Sequence, residues 1–235
     1  MARLVYSAGW RMRGYATVPI DGTKLRFADL AGSADEWWAH AARRNEWEAP
    51  VLAAFGASTR PGDVVFDIGA WIGPYTLLAA TRVGPQGRVV SFEPDPVARA
   101  LLERNVQLNA LENVTILPYA LAAQEGTLRL TGGHSVAHLD AEGEHEVQAR
   151  VLADVIGEVG AAPDVMKVDI EGGELDLDVA TLRDVRDLFV EIHEPAFAQR
   201  GSDSASWLAQ IAGERTVRRL ESHPDNYNVW IGPGG

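Results

Sequence analysis

The chain has 235 residues, 46% apolar and 23% charged, enough for one α/β domain with a full core and a short N-terminal elaboration. Its 33 acidic against 21 basic residues give a net charge of −12, which argues against nucleic acid as a substrate and against an anionic membrane surface. The absence of cysteine excludes disulfides, thiolate nucleophiles, zinc fingers and iron–sulfur clusters, and no apolar run has the length of a signal peptide or a membrane span, so a cytoplasmic protein is expected.

The first elements read as a hairpin, residues 15–20 and 24–27 around Asp21-Gly22-Thr23. Residues 35–55 read as one helix with Trp38, Ala42, Val51 and Phe55 inward. Residues 1–45 are thus an expected hairpin and cap helix, ahead of a main domain over 46–235. Trp37, Trp38 and Trp47 stand where a cap over a pocket would lie, although helix packing is the favoured explanation for them. After Pro61-Gly62 come a buried strand over 64–68, a helix over 75–81 and a strand over 88–92. A helix over 96–108 follows, with Val97, Ala98, Leu101, Leu102 and Val106 inward, then a strand over 114–119. This alternation calls for a parallel sheet with helices on both faces.

Two short strands, 127–131 and 146–151, interrupt the rhythm. The polar loop between them, which carries His134 and His138 with His145 at its end, is expected to be a solvated connection rather than a lid or metal site. The sheet resumes over 164–169, with a helix over 174–182 (Leu175, Val179 and Leu182 inward) and a strand over 188–192. A helix over 205–213 precedes an antiparallel pair, 216–220 and 227–231. The expected fold is Rossmann-like: a mostly parallel seven-stranded sheet with helices on both faces, ending in that antiparallel pair.

Within it, Val65-Phe66-Asp67-Ile68-Gly69-Ala70-Trp71-Ile72-Gly73 is a strand, an acid at its end, a Gly-x-x-x-Gly turn and the start of a helix. Glycines let the backbone bend and a ligand approach, and the free N–H groups of the helix suit a carboxylate or phosphate. Such a corner alone is a weak signal. Glu93 strengthens it, because an acid ending the next strand accepts hydrogen bonds from both ribose hydroxyls of an adenosine cofactor. A dinucleotide needs the middle glycine of G-x-G-x-x-G, whereas bulky Trp71 and Ile72 occupy this turn. Asp67 would also put negative charge near a pyrophosphate, but suits the ammonium and sulfonium of S-adenosylmethionine. The pattern therefore favours that cofactor over NAD, with an oxidoreductase as the alternative.

With Pro61-Gly62-Asp63-Val64-Val65-Phe66-Asp67-Ile68-Gly69-Ala70, Ser91-Phe92-Glu93-Pro94-Asp95, Asn113-Val114 leading to Ala120, and Lys167-Val168-Asp169-Ile170-Glu171-Gly172-Gly173-Glu174, the sequence resembles the FkbM family of class I methyltransferases. Val190-Glu191-Ile192-His193 is similar to that family's next strand, so the resemblance spans roughly 46–195, and the Lys-x-Asp-x-Glu-Gly-x-Glu run is its most specific part. The chain departs from the family at Trp71, where Asn is usual, and at Leu152-Ala153-Asp154, where Leu-Asp-Asp is frequent. The resemblance implies O-methylation of a hydroxyl on a sugar or secondary metabolite. Cofactor contacts are expected from Asp67, Gly69, Ala70, Trp71, Gly73, Thr76, Glu93, Pro94, Asp95 and Ala120.

Ligands of open α/β sheets bind beyond the carboxyl ends of the strands, where Asp169, Glu171 and His193 fall. A hydroxyl acceptor must lose a proton, and histidine titrates in the right range, so His193 is the candidate general base. A structural histidine closing the strand is the competing reading. Asp169 is expected to orient the acceptor. Its ligation of a divalent metal with Glu171, Glu191 or Glu194 is the less favoured alternative, so no metal ligand is assigned. Lys167 shares the face of Asp169 and is expected to neutralise the acids. Amine acceptors are disfavoured, because Asp169-Ile170-Glu171-Gly172 lacks the Asn/Asp-Pro-Pro-aromatic tetrapeptide of nucleobase amine methylation. A non-catalytic, cofactor-binding scaffold is the reading outside enzymology.

Overall fold

In the computed structural model, residues 9–10, 12–30, 33, 35–131, 138–139, 143 and 145–234 are described. The hairpin forms as expected: β1 (Tyr15–Ile20) pairs with β2 (Thr23–Ala28) around Asp21-Gly22, both left-handed at φ 43° and 74°. The single helix expected over 35–55 is instead two, α1 (Glu36–Arg43) and α2 (Ala49–Ser58). The break has a local cause. Pro50 lacks an N–H, and its ring would clash with the carbonyl four residues earlier, so the helix restarts with proline in its first turn. Asn45 and Glu48 take up the change of direction in left-handed backbone, φ 59° and 42°. All four expected inward residues, Trp38, Ala42, Val51 and Phe55, are buried.

The Rossmann-like half begins with β3 (Val64–Ile68), α3 (Pro74–Val83), β4 (Arg88–Phe92) and α4 (Pro96–Leu108). Asp95 caps α4, its carboxylate accepting the Val97 N–H at 2.9 Å, with Pro96 in the first turn. Of the expected inward residues of α4, Ala98, Leu102 and Val106 are buried and Leu101 partly so, but Val97, in the first turn, is 49% exposed. Asn105 is buried in their stead. Its amide accepts from Ala28 N–H at 2.7 Å and donates to the Ile72 carbonyl at 2.8 Å, tying the hairpin to the glycine turn.

The strand expected over 114–119 ends early as β5 (Val114–Leu117), because Pro118 cannot continue the ladder. The chain then enters a second, four-stranded sheet made of β6 (Tyr119–Leu121), β7 (Gly126–Thr131), β8 (His138–Leu139) and β9 (His145–Arg150), in the order β6-β9-β7-β8. The side chains of His134 and His138, and most of the loop around them, lie outside the described residues; His145 is exposed. α5 (Leu152–Val159), unforeseen in the sequence, returns the chain to β10 (Val165–Val168). The helix expected over 174–182 is a 3-10 turn, Glu174–Asp176, followed by the five-residue α6 (Val179–Arg183). Asp178 causes the break by accepting the backbone N–H of Thr181 at 2.8 Å, an N-cap that starts a new helix. β11 (Asp187–His193), α7 (Glu194–Gln199), α8 (Ser204–Ala212) and the antiparallel pair β12 (Thr216–Ser222) and β13 (Asn226–Gly232) complete the chain.

The main sheet has the order β12-β13-β11-β10-β3-β4-β5, and all its strands run the same way except β13, which is antiparallel to both its neighbours, β11 and β12. Side chains alternate between its faces. Val65, Val89, Val165 and Phe189 pack under α2, α3, α4 and the N-terminal elements, with no gap in the core between the hairpin and the sheet. Phe66, Phe92, Met166, Val168 and Val190 pack on the other side with α5, α6 and α8. Fully buried residues of this kind contribute roughly 1.5–3 kcal/mol each. On the first face the apolar pattern stops toward the carboxyl ends, where Asp67, Ser91, Lys167 and Glu191 take the next positions, all buried. No described helix is long and apolar enough to cross a membrane.

Candidate active site

Two polar centres meet at this edge. The first is the glycine turn after β3. Gly69 has φ 79°, and a Cβ there would lie 1.7 Å from the carbonyl oxygen of Asp169, so only glycine lets the two backbones touch. Gly73, at φ 96°, is similarly closed in by Leu102 and opens α3. The N–H groups of Gly69 and Ala70 both donate to the Phe92 carbonyl at 3.0 Å, which clamps the turn to β4. Trp71 adopts φ 49° and donates its backbone N–H to Glu93 Oε2 at 2.6 Å, while Asp95 N–H reaches Glu93 Oε1 at 2.8 Å. Each carboxylate oxygen thus keeps a second lone pair for a ligand diol. Burial pushes the Glu93 carboxyl up to about 7 against these two bonds.

Asp67 is 2% exposed, and its carboxylate accepts the Thr76 hydroxyl at 2.5 Å; that hydroxyl also lies 2.7 Å from Ser91 Oγ. Burial raises Asp67 to about 6 although the Thr76 bonds and Lys167 oppose it. Asp67 and Thr76 therefore brace the turn from beneath. Pro94 is half-buried beside Glu93, and Asp95 is the buried cap of α4. Ala120 sits on β6 in the satellite core with Leu130 and Val147, which is where its side chain packs. Over the turn runs an aromatic chain: Trp71 is edge-on to Trp38, Trp38 to Trp47 and Trp47 to Tyr75, with centroids 5.5–6.1 Å apart. The indole N–H of Trp71 is buried without an acceptor, a free donor in the turn. Trp37, by contrast, is 47% exposed.

The second centre gathers Asp169, Glu171 and His193, whose candidate ligand atoms lie within 4.8 Å of one another. His193 Nδ1 is 2.8 Å from Oε1 of fully buried Glu174, and its Nε2 is 3.4 Å from Glu171 Oε2. Burial opposes the imidazolium, but the Glu174 bond and the charges of Asp169 and Glu171 outweigh it and raise His193 to about 9. Glu174 was overlooked as the histidine's partner, although it closes the Lys-x-Asp-x-Glu-Gly-x-Glu run.

Lys167 is 1% exposed, with Nζ 3.2 Å from Asp169 Oδ2 and above the Tyr75 ring. Burial disfavours its ammonium, yet Asp169, Glu48, Glu191 and Asp67 together raise its pKa. Burial likewise acts against the Asp169 carboxylate, but Lys167 and His193 hold it below the usual range. Burial and the neighbouring Asp169 push Glu191 up to about 8, opposite in direction to Asp169. Glu48 completes the group. Its half-buried carboxylate takes the Tyr75 hydroxyl at 2.5 Å, lies within 4.8 Å of those of Asp169 and Glu191, and is raised by burial to about 7. Nothing in the sequence marked Glu48, which stands ahead of every motif. Glu194 is turned away, accepting from Ser204 Oγ at 2.7 Å.

Comparison with known proteins agrees with this architecture. Residues 67–219 match the model of the methyltransferase FkbM domain. The 31-O-demethyl-FK506 methyltransferase FkbM of Streptomyces tacrolimicus is 32% identical over 181 residues, 59% of this chain and 68% of that protein. Methyltransferase sdnD of Sordaria araneosa is 29% identical over 207 residues, 70% of this chain and 79% of its own length. Among solved structures, the methyltransferase FkbM from Methylobacillus flagellatus KT superposes with a TM-score of 0.53 at 15% identity, over 84% of this chain and 55% of that one. The glycine turn with its buried acids, the seven-stranded sheet and the matched segment converge: this chain belongs to the FkbM family of S-adenosylmethionine-dependent methyltransferases.

Proposed function

We propose that the protein methylates a hydroxyl group of a small molecule, a sugar or secondary metabolite, in the cytoplasm, and acts on neither nucleic acid nor membrane. The observation that carries this reading is the backbone contact between Gly69 and Asp169, which sets the cofactor turn against the Asp169–Glu171–His193 cluster. The donor set fits the cofactor: Glu93 has lone pairs for ribose hydroxyls, the indole N–H of Trp71 lacks a partner, and the nearby acids favour cationic groups. Asp67, Gly69, Ala70, Trp71, Gly73, Glu93, Pro94 and Asp95 would hold it. When bound, S-adenosylmethionine supplies an electrophilic methyl group.

The rest falls to the chain's own groups. Glu174 fixes the His193 ring through Nδ1, which leaves Nε2 facing Glu171 and the open edge. That is the arrangement of a base oriented by a buried carboxylate. Neutral His193 takes the acceptor's proton at Nε2, while Asp169, held ionised by Lys167, orients the hydroxyl. No metal is needed, because the Lys167 ammonium already supplies positive charge to these acids. The relatives' names support a small-molecule acceptor, since one of them is named for a demethylated FK506.

The test is transfer of labelled methyl from S-adenosylmethionine to a panel of hydroxyl acceptors, 31-O-demethyl-FK506 among them, with amine analogues in parallel. Label on hydroxyl oxygen is expected. Transfer to amines alone would overturn the acceptor class. Calorimetry showing NAD binding without affinity for S-adenosylhomocysteine would overturn the cofactor, and cofactor binding without turnover would favour a scaffold.

A further inference from the structure

Beside the acceptor edge lies a polar feature that the chemistry above does not use. Asn228, on β13, is 1% exposed, and neither its Oδ1 nor its Nδ2 has a hydrogen-bond partner. Buried amides are almost always bonded, so a side chain with both ends idle marks a place where something else binds. Its surroundings say what. In the antiparallel ladders Asn228 stands opposite Glu191 of β11 on one side and Glu221 of β12 on the other, and such cross-strand neighbours project from the same face. The Glu48 carboxylate lies within 4.8 Å of those of Glu191 and Asp169, and it also feels the charge of Glu221. Asn226 donates to Glu191 Oε1 at 2.6 Å, yet its own Oδ1 is buried and idle, as is Oε2 of Glu221.

We propose that Asn228, Glu191 and Glu48 form an anchoring subsite for an uncharged polyhydroxylated part of the methyl acceptor, next to Asp169. The inference rests on the hydroxyl-acceptor reading above. Charge decides the class of ligand. Among the described residues the cations nearest these acids are already paired, Lys167 with Asp169 and His193 with Glu174 and Glu171. An anionic group would therefore meet mainly carboxyls. A divalent ion held by Glu48 and Glu191 would sit beside the positive charge of Lys167. A hydroxyl, both donor and acceptor, suits an amide that offers both and carboxyls that accept. Glu48 and Asn228 also lie outside the residues matched to the family, 67–219, whereas Lys167, Asp169 and Glu191 lie within them. The shared segment thus carries methyl transfer, and the two flanks select what is methylated.

The experiment uses the full chain loaded with S-adenosylhomocysteine and three probes: methyl glucoside, glucuronate and magnesium. The side-chain amide signal of Asn228, assigned by its loss in Asn228→Leu, is followed by NMR. Saturable shifts with methyl glucoside are expected, with glucuronate weaker by about tenfold, the scale of one lost hydrogen bond to a polar group. Asn228→Leu and Glu48→Gln should each weaken the sugar by about tenfold and leave the affinity for S-adenosylhomocysteine within about twofold. No response to methyl glucoside, or undiminished binding in both variants, overturns the subsite. A response to magnesium alone overturns it in favour of a metal site. If Asn228→Leu does not fold, Glu48→Gln decides the question. Failure of the wild type to bind S-adenosylhomocysteine would instead sink the reading beneath it.

Discussion

The cofactor side and the acceptor side of this edge are built on opposite principles. Around the glycine turn most polar groups are satisfied from within, the Trp71 indole N–H excepted: Asp67 by Thr76, Glu93 by the backbone of Trp71 and Asp95, and the N–H groups of Gly69 and Ala70 by Phe92. That half is ready-made, and its parts lie within 29 residues of one another in the chain, from Asp67 to Asp95. Beyond β10, β11 and β13 the acids crowd together, the carboxyls of Asp169 and Glu191 are pushed in opposite directions, and buried amide atoms stand idle. These groups come from residues 48, 167–174, 191–193 and 221–228. A cofactor common to many enzymes can be met by a rigid local cradle, whereas an acceptor peculiar to one enzyme is met by distant segments that vary independently.

The largest effect expected of any single change falls on the acceptor side. His193→Ala should lower turnover by about 10²–10⁴-fold, the usual cost of a lost general base, with S-adenosylhomocysteine affinity unchanged by calorimetry. The wild-type rate should climb with pH through about 9, because only neutral imidazole accepts a proton and the folded protein holds His193 charged up to there. Stability runs the other way. A raised histidine pKa contributes stability that is fully present below its ordinary value near 6.5 and is lost as pH rises through about 9. His193→Ala should flatten that decline in denaturant titrations. Near-wild-type turnover in the variant would remove His193 from the mechanism and leave it a structural residue.

Next comes the contact between the halves. Gly69→Ala forces a side chain into left-handed backbone and onto the Asp169 carbonyl, so unfolding free energy should drop by roughly 2–4 kcal/mol. Chemical denaturation checks this, and a loss under about 0.5 kcal/mol would mean that the backbones part easily. On the cofactor side, Glu93→Ala removes a carboxylate with two lone pairs left for the ribose, and affinity for S-adenosylhomocysteine should fall by at least about tenfold. Unchanged affinity in calorimetry would show that Glu93 serves only Trp71 and Asp95. The smallest effect should come from chelation: with Lys167 among the acids, EDTA should leave the rate unchanged, and magnesium-dependent rescue would reverse that reading.

The legibility of the sequence followed the same division. Strands 64–68 and 88–92, the helix 96–108 and the turn between Asp67 and Glu93 could be read because their signals are local: alternation, capping by Asp95, glycines at a corner. The long helices read over 35–55 and 174–182 failed where a single residue, Pro50 or Asp178, outweighed a favourable apolar period. The strand read through Pro118 failed in the same way. Asp169, Glu171 and His193 were placed together by counting strands, and the structure does bring them together. Glu48, Tyr75 and Asn228 were missed because they join the site only through the fold. Glu48 arrives by way of the helix break at 44–48 and Asn228 by way of an antiparallel return, and neither has a pattern in the neighbouring residues.

The touch of Gly69 on the Asp169 carbonyl has a thermodynamic corollary. Whatever stiffens the glycine turn also fixes the backbone that carries Asp169, so part of the ordering that an acceptor requires is already accomplished once the cofactor is seated. Linkage then demands reciprocity: an acceptor that settles Asp169 must tighten the cofactor by the same factor as the cofactor tightens the acceptor.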